Sequence, residues 1–352
     1  MAYSTISKPS DYFNTKLYTG NSTDNHAITG VNFQPDLVWI KRRNQAANHN
    51  LFDAVRGATK TIKSNLTNAE ATVADTLKSF DSDGFTLGDD ATVGEVNPNT
   101  YTMASWNWLG ANGTASNTDG SITSTVSVNT TSGFSIVSWT GNATAGATVG
   151  HGLSSTPKMI IVKRRNTAAQ WNVYHESLGN TGALYLNDTI AFNVVAGFWN
   201  NTSPNSTTFT LGTDAAGNGS GDTYIAYCFA EKQGFSKFGS YTGNGNANGT
   251  FVYTGFKPSF VMLKGSSIAE AWWMFDNKRS ESNVTNDGII ANGSNTEYSN
   301  SATFKIDMLS NGFKTRDSDG STNGSGQTYI YMAFAEEPLV ANVGATIPAT
   351  AR

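Results

Sequence analysis

A single cysteine, Cys228, stands in 352 residues, so no disulfide can close within the chain. Its setting, Tyr224-Ile-Ala-Tyr-Cys-Phe-Ala, reads as a buried strand and predicts an inert packed thiol. Charged residues are scarce at 14%, against about 25% in ordinary globular chains. The net charge of −4 lacks the basic footprint that nucleic-acid binding requires. No apolar run approaches the ~18 residues of a membrane span, so no membrane insertion is expected. The opening, Met1-Ala-Tyr-Ser-Thr-Ile-Ser-Lys-Pro-Ser10, has no apolar stretch of the secretory kind, which predicts synthesis in a cytoplasm. The four histidines, His26, His49, His151 and His175, are scattered without a metal-ligand spacing. No Ser-His-Asp order, HExxH, phosphate loop or dinucleotide fingerprint occurs, and neither a cofactor nor catalysis is expected.

What is abundant is glycine, with 35 residues, together with Asn, Ser and Thr. Aromatics reach 11%, enough to build real cores, which separates this composition from disorder. Gly and Asn serve turns and Thr tolerates strands, so the composition predicts an all-β fold.

Five landmarks recur three times in the same order. The first is Tyr18-Thr-Gly-Asn21, Trp139-Thr-Gly-Asn142 and Tyr241-Thr-Gly-Asn244. The second is a proline six residues before a lysine across an apolar run: Pro35 to Lys41, Pro157 to Lys163, Pro258 to Lys264. The third follows each lysine by 11 and 12 residues: Phe52-Asp53, Tyr174-His175 and Phe275-Asp276. The fourth is a short strand around Phe85, Phe209 and Phe313. The fifth closes each copy: Tyr101 to Trp106, Tyr224 to Phe229 and Tyr329 to Phe334. The prolines at 35, 157 and 258 set pitches of 122 and 101 residues, the surplus lying in 111–132.

The Thr-Gly-Asn turn suits residues that accept positive φ. The apolar run after each proline reads as a central strand covered on both faces. A short helix is expected near Asn68–Phe80, where Ala71, Ala74, Leu77 and Lys78 share a face. The expectation is three tandem β-sandwich or jelly-roll-like repeats of about 100 residues, each with its own core. The boundaries are an N-terminal arm at 1–12, repeats at 13–117, 118–233 (opened by a hairpin insert) and 234–337, and a C-terminal tail at 338–352. Both terminal segments are expected to carry subunit or particle contacts.

Several residues are candidates for contact or ligand binding. Lys41/Asp53, Lys163/His175 and Lys264/Asp276 read either as ligand-binding pairs or as strand-end salt bridges and turn caps; threefold repetition favours folding logic. The clusters Lys41-Arg-Arg-Asn44 and Lys163-Arg-Arg-Asn166 read as solvated strand ends, or as sites for phosphate or acidic polysaccharide. Asp81-Ser-Asp-Gly84 and Asp317-Ser-Asp-Gly320 read as Asp-Gly turns; the second, with Asp317, Asp319 and Asn323, is the better calcium candidate. Trp171, Trp199, Trp272 and Trp273 read as core or as sugar-stacking platforms; adjacent Trp272 and Trp273 face opposite sides of a strand, which would leave one exposed. Glu231 and Glu336 close two copies, but the first copy offers no matching acid for a glycosidase pair.

The phrases Lys8-Pro-Ser-Asp-Tyr-Phe-Asn-Thr15, Gly150-His-Gly-Leu153, Tyr227-Cys-Phe-Ala-Glu-Lys232, Gly234-Phe-Ser-Lys-Phe-Gly-Ser-Tyr-Thr-Gly-Asn244 and Tyr331-Met-Ala-Phe-Ala-Glu336 resemble repeat proteins of marine tailed bacteriophages, labelled tail-fibre-like or virion structural proteins. The first copy departs from the pattern at 89–100, where the others carry Asn-Gly-Ser-Gly (218–221, 323–326). The resemblance implies a non-enzymatic virion component, a tail fibre or exterior appendage. Its partners would be itself (by analogy as a trimer), other virion proteins and host surface polysaccharide. A capsid decoration protein and a lectin-like carbohydrate-binding module are the alternatives, with a polysaccharide-cleaving enzyme behind them.

Overall fold

The computed structural model describes residues 4–338. The fold is all-β: antiparallel sheets dominate, with two one-turn α-helices, Ala196–Trp199 and Ala215–Asn218, and a 3-10 turn at Pro9–Asp11.

One pairing scheme occurs three times. In the first unit the sheet order is opening strand Phe13–Thr19, closing strand Thr102–Trp108, central strand Leu37–Arg42, flanking strand Asn50–Asp53. The middle unit repeats it with Phe134–Thr140, Thr223–Phe229, Met159–Arg164 and Trp171–His175. The third uses Ser236–Thr242, Thr328–Pro338, Phe256–Gly265 and Trp272–Asp276. A smaller sheet covers each outer face, built on the pairs His26–Thr29 with Gly84–Leu87, Ala147–Gly150 with Thr208–Leu211, and Phe251–Tyr253 with Gly312–Thr315.

Alternation along the central strands explains why they are apolar throughout. Val38 and Ile40, Ile160 and Val162, and Val261 and Leu263 each face a separate outer core. Leu37 and Trp39, Met159 and Ile161, and Phe260 and Met262 face the other way, into one core shared by all three sheets. Trp108, Phe229 and Phe334 hold the same register position, opposite Leu37, Met159 and Phe260. Their rings meet as a triangle with centroids 6.3, 6.0 and 5.8 Å apart. The separate-core expectation is therefore corrected: each unit has its own outer core, but its inner sheet face is buried in a core it shares with the other two units.

Other expectations change as well. No helix forms at 68–80; Leu77 enters the first outer core, and Leu77–Asp81 makes a hairpin with Gly84–Leu87. The 117/118 boundary cuts the hairpin insert, in which Ala115–Asn117 pairs with Ser124–Asn129 on the middle sheet. The closing motif of the first unit slides by two residues. Lys41, Lys163 and Lys264 stand opposite Ala104, Ile225 and Ile330, so Trp108, not Trp106, matches Phe229 and Phe334. Within the N-terminal arm, Ile6 is buried in the shared core and Tyr12 packs edge-on against Phe235 at 6.0 Å. Residues 339–352 of the C-terminal tail lie outside the described residues.

The glycine of each Thr-Gly-Asn motif is explained by close approach, not by φ. A Cβ on Gly20, Gly141 or Gly243 would stand 2.2, 2.4 or 2.4 Å from the carbonyl oxygen of Pro98, Gly219 or Gly324. The residue before each of those carbonyls is a buried asparagine. Asn97, Asn218 and Asn323 accept the backbone N–H of Asn21, Asn142 and Asn244, and their amides donate to Gly88, Gly212 and Asp317 carbonyls. The divergent 89–100 segment thus builds the same tie as its counterparts.

Candidate functional site

Strand parity turns Lys41, Lys163 and Lys264 to the inner face at the rim of the shared core, where all three are fully buried. A buried ammonium needs acceptors. Each donates to the next residue's carbonyl (Arg42, Arg164, Gly265) and to a loop of another unit: Lys41 to Ser294, Lys163 to Thr67, Lys264 to Thr189. Burial pushes each of these lysines down to about 8.

Eight residues after each lysine, a ring nitrogen makes a second crossing in the same direction. Trp171 Nε1 donates to Lys63 O at 2.9 Å, Trp272 Nε1 to Tyr185 O at 2.9 Å, and His49 Nε2 lies 3.0 Å from Ile290 O. Twelve residues after the lysine comes a third crossing, toward the opposite neighbour. Asp53 accepts from Tyr227 Oη at 2.8 Å, Asp276 accepts from Trp106 Nε1 at 3.0 Å, and His175 Nε2 lies 3.3 Å from Tyr331 O. Because Ser177 N–H donates to His175 Nδ1, Nε2 is the protonated nitrogen. Trp106, Tyr227 and Met332 share one register position. Where that position supplies a donor, the facing residue is aspartate. Where it is Met332, the facing residue is a histidine that donates to the backbone instead.

The crossings form a cycle: first to middle, middle to third, third to first. Two of the three seams also carry buried ion networks. At the first–middle seam Arg56 is fully buried against Asp53, and Glu70 bridges Arg56 at 3.3 Å and Arg165 at 2.9 Å. At the third–first seam Arg279 pairs with Asp276 at 2.6 Å, and Glu297 bridges Arg279 at 3.1 Å and Arg43 at 2.8 Å. The arginines hold Glu70 and Glu297 below the usual carboxylate range against the opposing effect of burial. At the middle–third seam Leu178, Phe192 and Ser266 occupy these places. Phe192 N–H donates to Ser266 O just as Glu70 N–H donates to Arg165 O and Glu297 N–H to Arg43 O.

These positions decide between the alternatives read from the sequence. Lys41/Asp53, Lys163/His175 and Lys264/Asp276 are neither ligand pairs nor salt bridges, since Asp53 stands opposite Leu37, at the far end of the central strand from Lys41, and the other two units match. The turn-cap alternative is what forms, with Asp53, His175 and Asp276 accepting from the backbone N–H of Arg56, Ser177 and Arg279. The basic clusters are not solvated strand ends, since their lysines are buried and Arg43 and Arg165 tie units together. Trp171, Trp199, Trp272 and Trp273 are all buried, so the core reading holds over the sugar platform and neither Trp272 nor Trp273 is left exposed; Trp273 stacks on Phe304 at 3.9 Å. Arg56, Arg279, Glu70 and Glu297 were missed, although Asp-x-x-Arg in two of the three copies was a readable signal.

The Asp317 loop lines a cavity of about 410 Å³ with Lys305, Arg316 and Asp319. Asp317 is buried and its carboxylate accepts from Lys305 N, Asp319 N and Thr322 Oγ1, while Asp319 accepts from Ser321 N. Asn323 is spent on the backbone tie described above. These groups cap their own turn in place of a calcium shell. Asp81-Ser-Asp-Gly84 is a hairpin turn whose Asp83 accepts from Gly30 N and Asn32 N. Glu231 pairs with Lys237, and Glu336 with Lys257. Among the described residues, no group of three His, Cys, Asp or Glu is placed to hold a metal, and no helix is long and apolar enough to cross a membrane.

One family profile spans this whole arrangement, from residue 8 to residue 338. The chain belongs to the DUF7483 family, described as a domain of unknown function. Its match runs through all three units and their seams, so the family domain is the closed cycle and not a single unit. No curated protein matches the chain.

Proposed function

We propose that this chain is a structural protein of a tailed-bacteriophage virion, part of a tail fibre or other exterior appendage, and not an enzyme. The observation that carries the reading is the cycle itself. The lysines of the central strands, the ring nitrogens eight residues on and the Asp or His twelve residues on are committed to joining units around one core, which suits a rigid scaffold that holds polar loops outward. The sequence resemblance to phage repeat proteins points the same way. Because one chain supplies all three units, it occupies the place a trimer of single-unit chains would take, and self-association would use the outer faces. Mass spectrometry of purified particles tests the reading, with antibody labelling to place the protein on tail or head. Tail labelling is the expected result; absence from particles overturns the proposal, and head labelling replaces the appendage with a capsid decoration role.

A further inference from the structure

The outer sheet of the third unit departs from its two counterparts on its outward face. Phe251–Tyr253 is an edge strand paired only with Gly312–Thr315. Val252 points into the outer core, and its neighbours Phe251 and Tyr253 point out, 45% and 54% exposed. The matching register places carry Ala27 and Thr29 in the first unit and Thr148 and Gly150 in the middle unit. In the middle unit this edge is already occupied, since Ile122 N–H donates to Thr148 O at 2.9 Å and Ser121 and Thr148 exchange further bonds. The fold therefore asks for no aromatic at either place, and two exposed aromatics on one face call for a reason outside the fold.

Their surroundings define the chemistry. Phe251 stands opposite Lys314, and Tyr253 opposite Gly312. Beyond them lie Asp307 and Leu309, opposite the same two residues. At Gly312 a Cβ would stand 2.0 Å from Val252 O and 3.2 Å from the Phe251 ring, so the glycine lets that ring lie against the strand beside Tyr253. Successive outward residues on a strand lie about 7 Å apart, so the two aromatic side chains are neighbours on one face. Lys314 Nζ donates to Asn248, and Arg316 reaches Asp307 at 3.4 Å. Arg316, two residues along the strand from Lys314, also lines the cavity of about 410 Å³ beside Lys305 and Asp319. That volume falls in the range of small-ligand sites. Aromatic faces bordered by amide, ammonium and carboxylate groups match a pyranose, whose C–H face lies on a ring while its hydroxyls reach the polar border.

We propose that this face, formed by Phe251, Tyr253, Gly312 and Lys314 and continuing into the cavity at Lys305, Arg316 and Asp319, binds a pyranose polysaccharide. The inference does not depend on whether the chain is carried on a virion. Affinity electrophoresis of the full chain, in gels holding a β-glucan, a mannan or an alginate and in a gel with none, tests it. Retardation by at least one polysaccharide is expected. Phe251→Thr combined with Tyr253→Thr, which borrows the residue type of the counterpart positions, should weaken it at least tenfold, and Lys314→Ala about threefold. Val194→Ala, an exposed apolar position of the middle unit, should leave it unchanged. Thermal melts check that each variant is folded, and Tyr253→Ser alone serves should the double variant not fold. No retardation in any of the three polysaccharide gels overturns the proposal, as does a folded double variant retarded like the parent.

Discussion

The first–middle and third–first seams bury an aspartate, an arginine, a bridging glutamate and a second arginine; the middle–third seam fills the same places with His175, Leu178, Phe192 and Ser266. Backbone crossings are alike at all three. Comparing them separates what the fold requires from how each seam satisfies it. A buried ion network gains little over well-packed apolar groups of similar size, because desolvation offsets the Coulombic attraction. What it does impose is mutual dependence, since removing one charge strands the others.

Breaking one ionic seam should have the largest effect. Arg279→Met leaves Asp276 and Glu297 buried without their shared partner and should cost about 3–5 kcal/mol in urea unfolding. Leu178→Ala at the apolar seam, where the side chain is only half-buried, should cost about half as much or less.

Acid should find the middle–third seam first. Burial pushes His175 down to about 4, against about 6.5 for a free imidazole. Between those values the unfolded chain takes a proton that the folded chain refuses, so stability falls as pH drops from about 6.5 to about 4, by on the order of 3 kcal/mol. His175→Gln should flatten that slope in urea titrations at stepped pH. It should not abolish it, because buried His49 at the third–first seam is shifted in the same direction. The ionic seams weaken at lower pH: Glu70 and Glu297 have lowered values, so their contribution is lost as pH falls below about 4.3 and through those values.

Converting one seam into another sharpens the comparison. Asp53→His, Arg56→Leu, Glu70→Phe, Arg165→Ser and Tyr227→Met together recreate the apolar seam at the first–middle junction. The five changes should cost no more than about 2 kcal/mol, less than Arg56→Met alone. A fivefold variant less stable than the single one would show that the networks contribute more than neutral packing can replace.

The smallest effect is expected at the lysines common to all seams. Lys163→Met removes a desolvated ammonium but leaves the Thr67 and Arg164 carbonyls without its donation, two opposing changes that should net within about 1 kcal/mol at pH 7. Because its folded value is near 8 and the free one near 10.5, the parent should gain stability as pH rises between them, and the variant should gain less.

Much of this architecture was legible in the residues. The proline-to-lysine spacing marked three central strands, and the Phe-Asp and Tyr-His pairs marked the ends of their flanking strands. The two-residue slip in the first closing strand was not legible, because Tyr101 imitates Tyr224 and Tyr329 while the register is set by Lys41 opposite Ala104. The exposure of Phe251 and Tyr253 was hidden too, since Phe-Val-Tyr reads as a buried strand until it is known to be an uncovered edge. For Trp171, Trp199, Trp272 and Trp273 the core reading held, but that neither face of Trp272-Trp273 is left exposed was not legible, for periodicity assigns a face and not what lies against it.

By itself, then, the order of residues determined the all-β class, the threefold recurrence and the double-sided burial of each central strand, because these follow from local alternation and turn chemistry. Only the tertiary structure decided that the inner faces share one core and that the repeated lysines, aspartates and histidine join units. Those contacts connect residues up to about 250 positions apart, as in Lys41 with Ser294, and no local pattern carries the identity of so distant a partner.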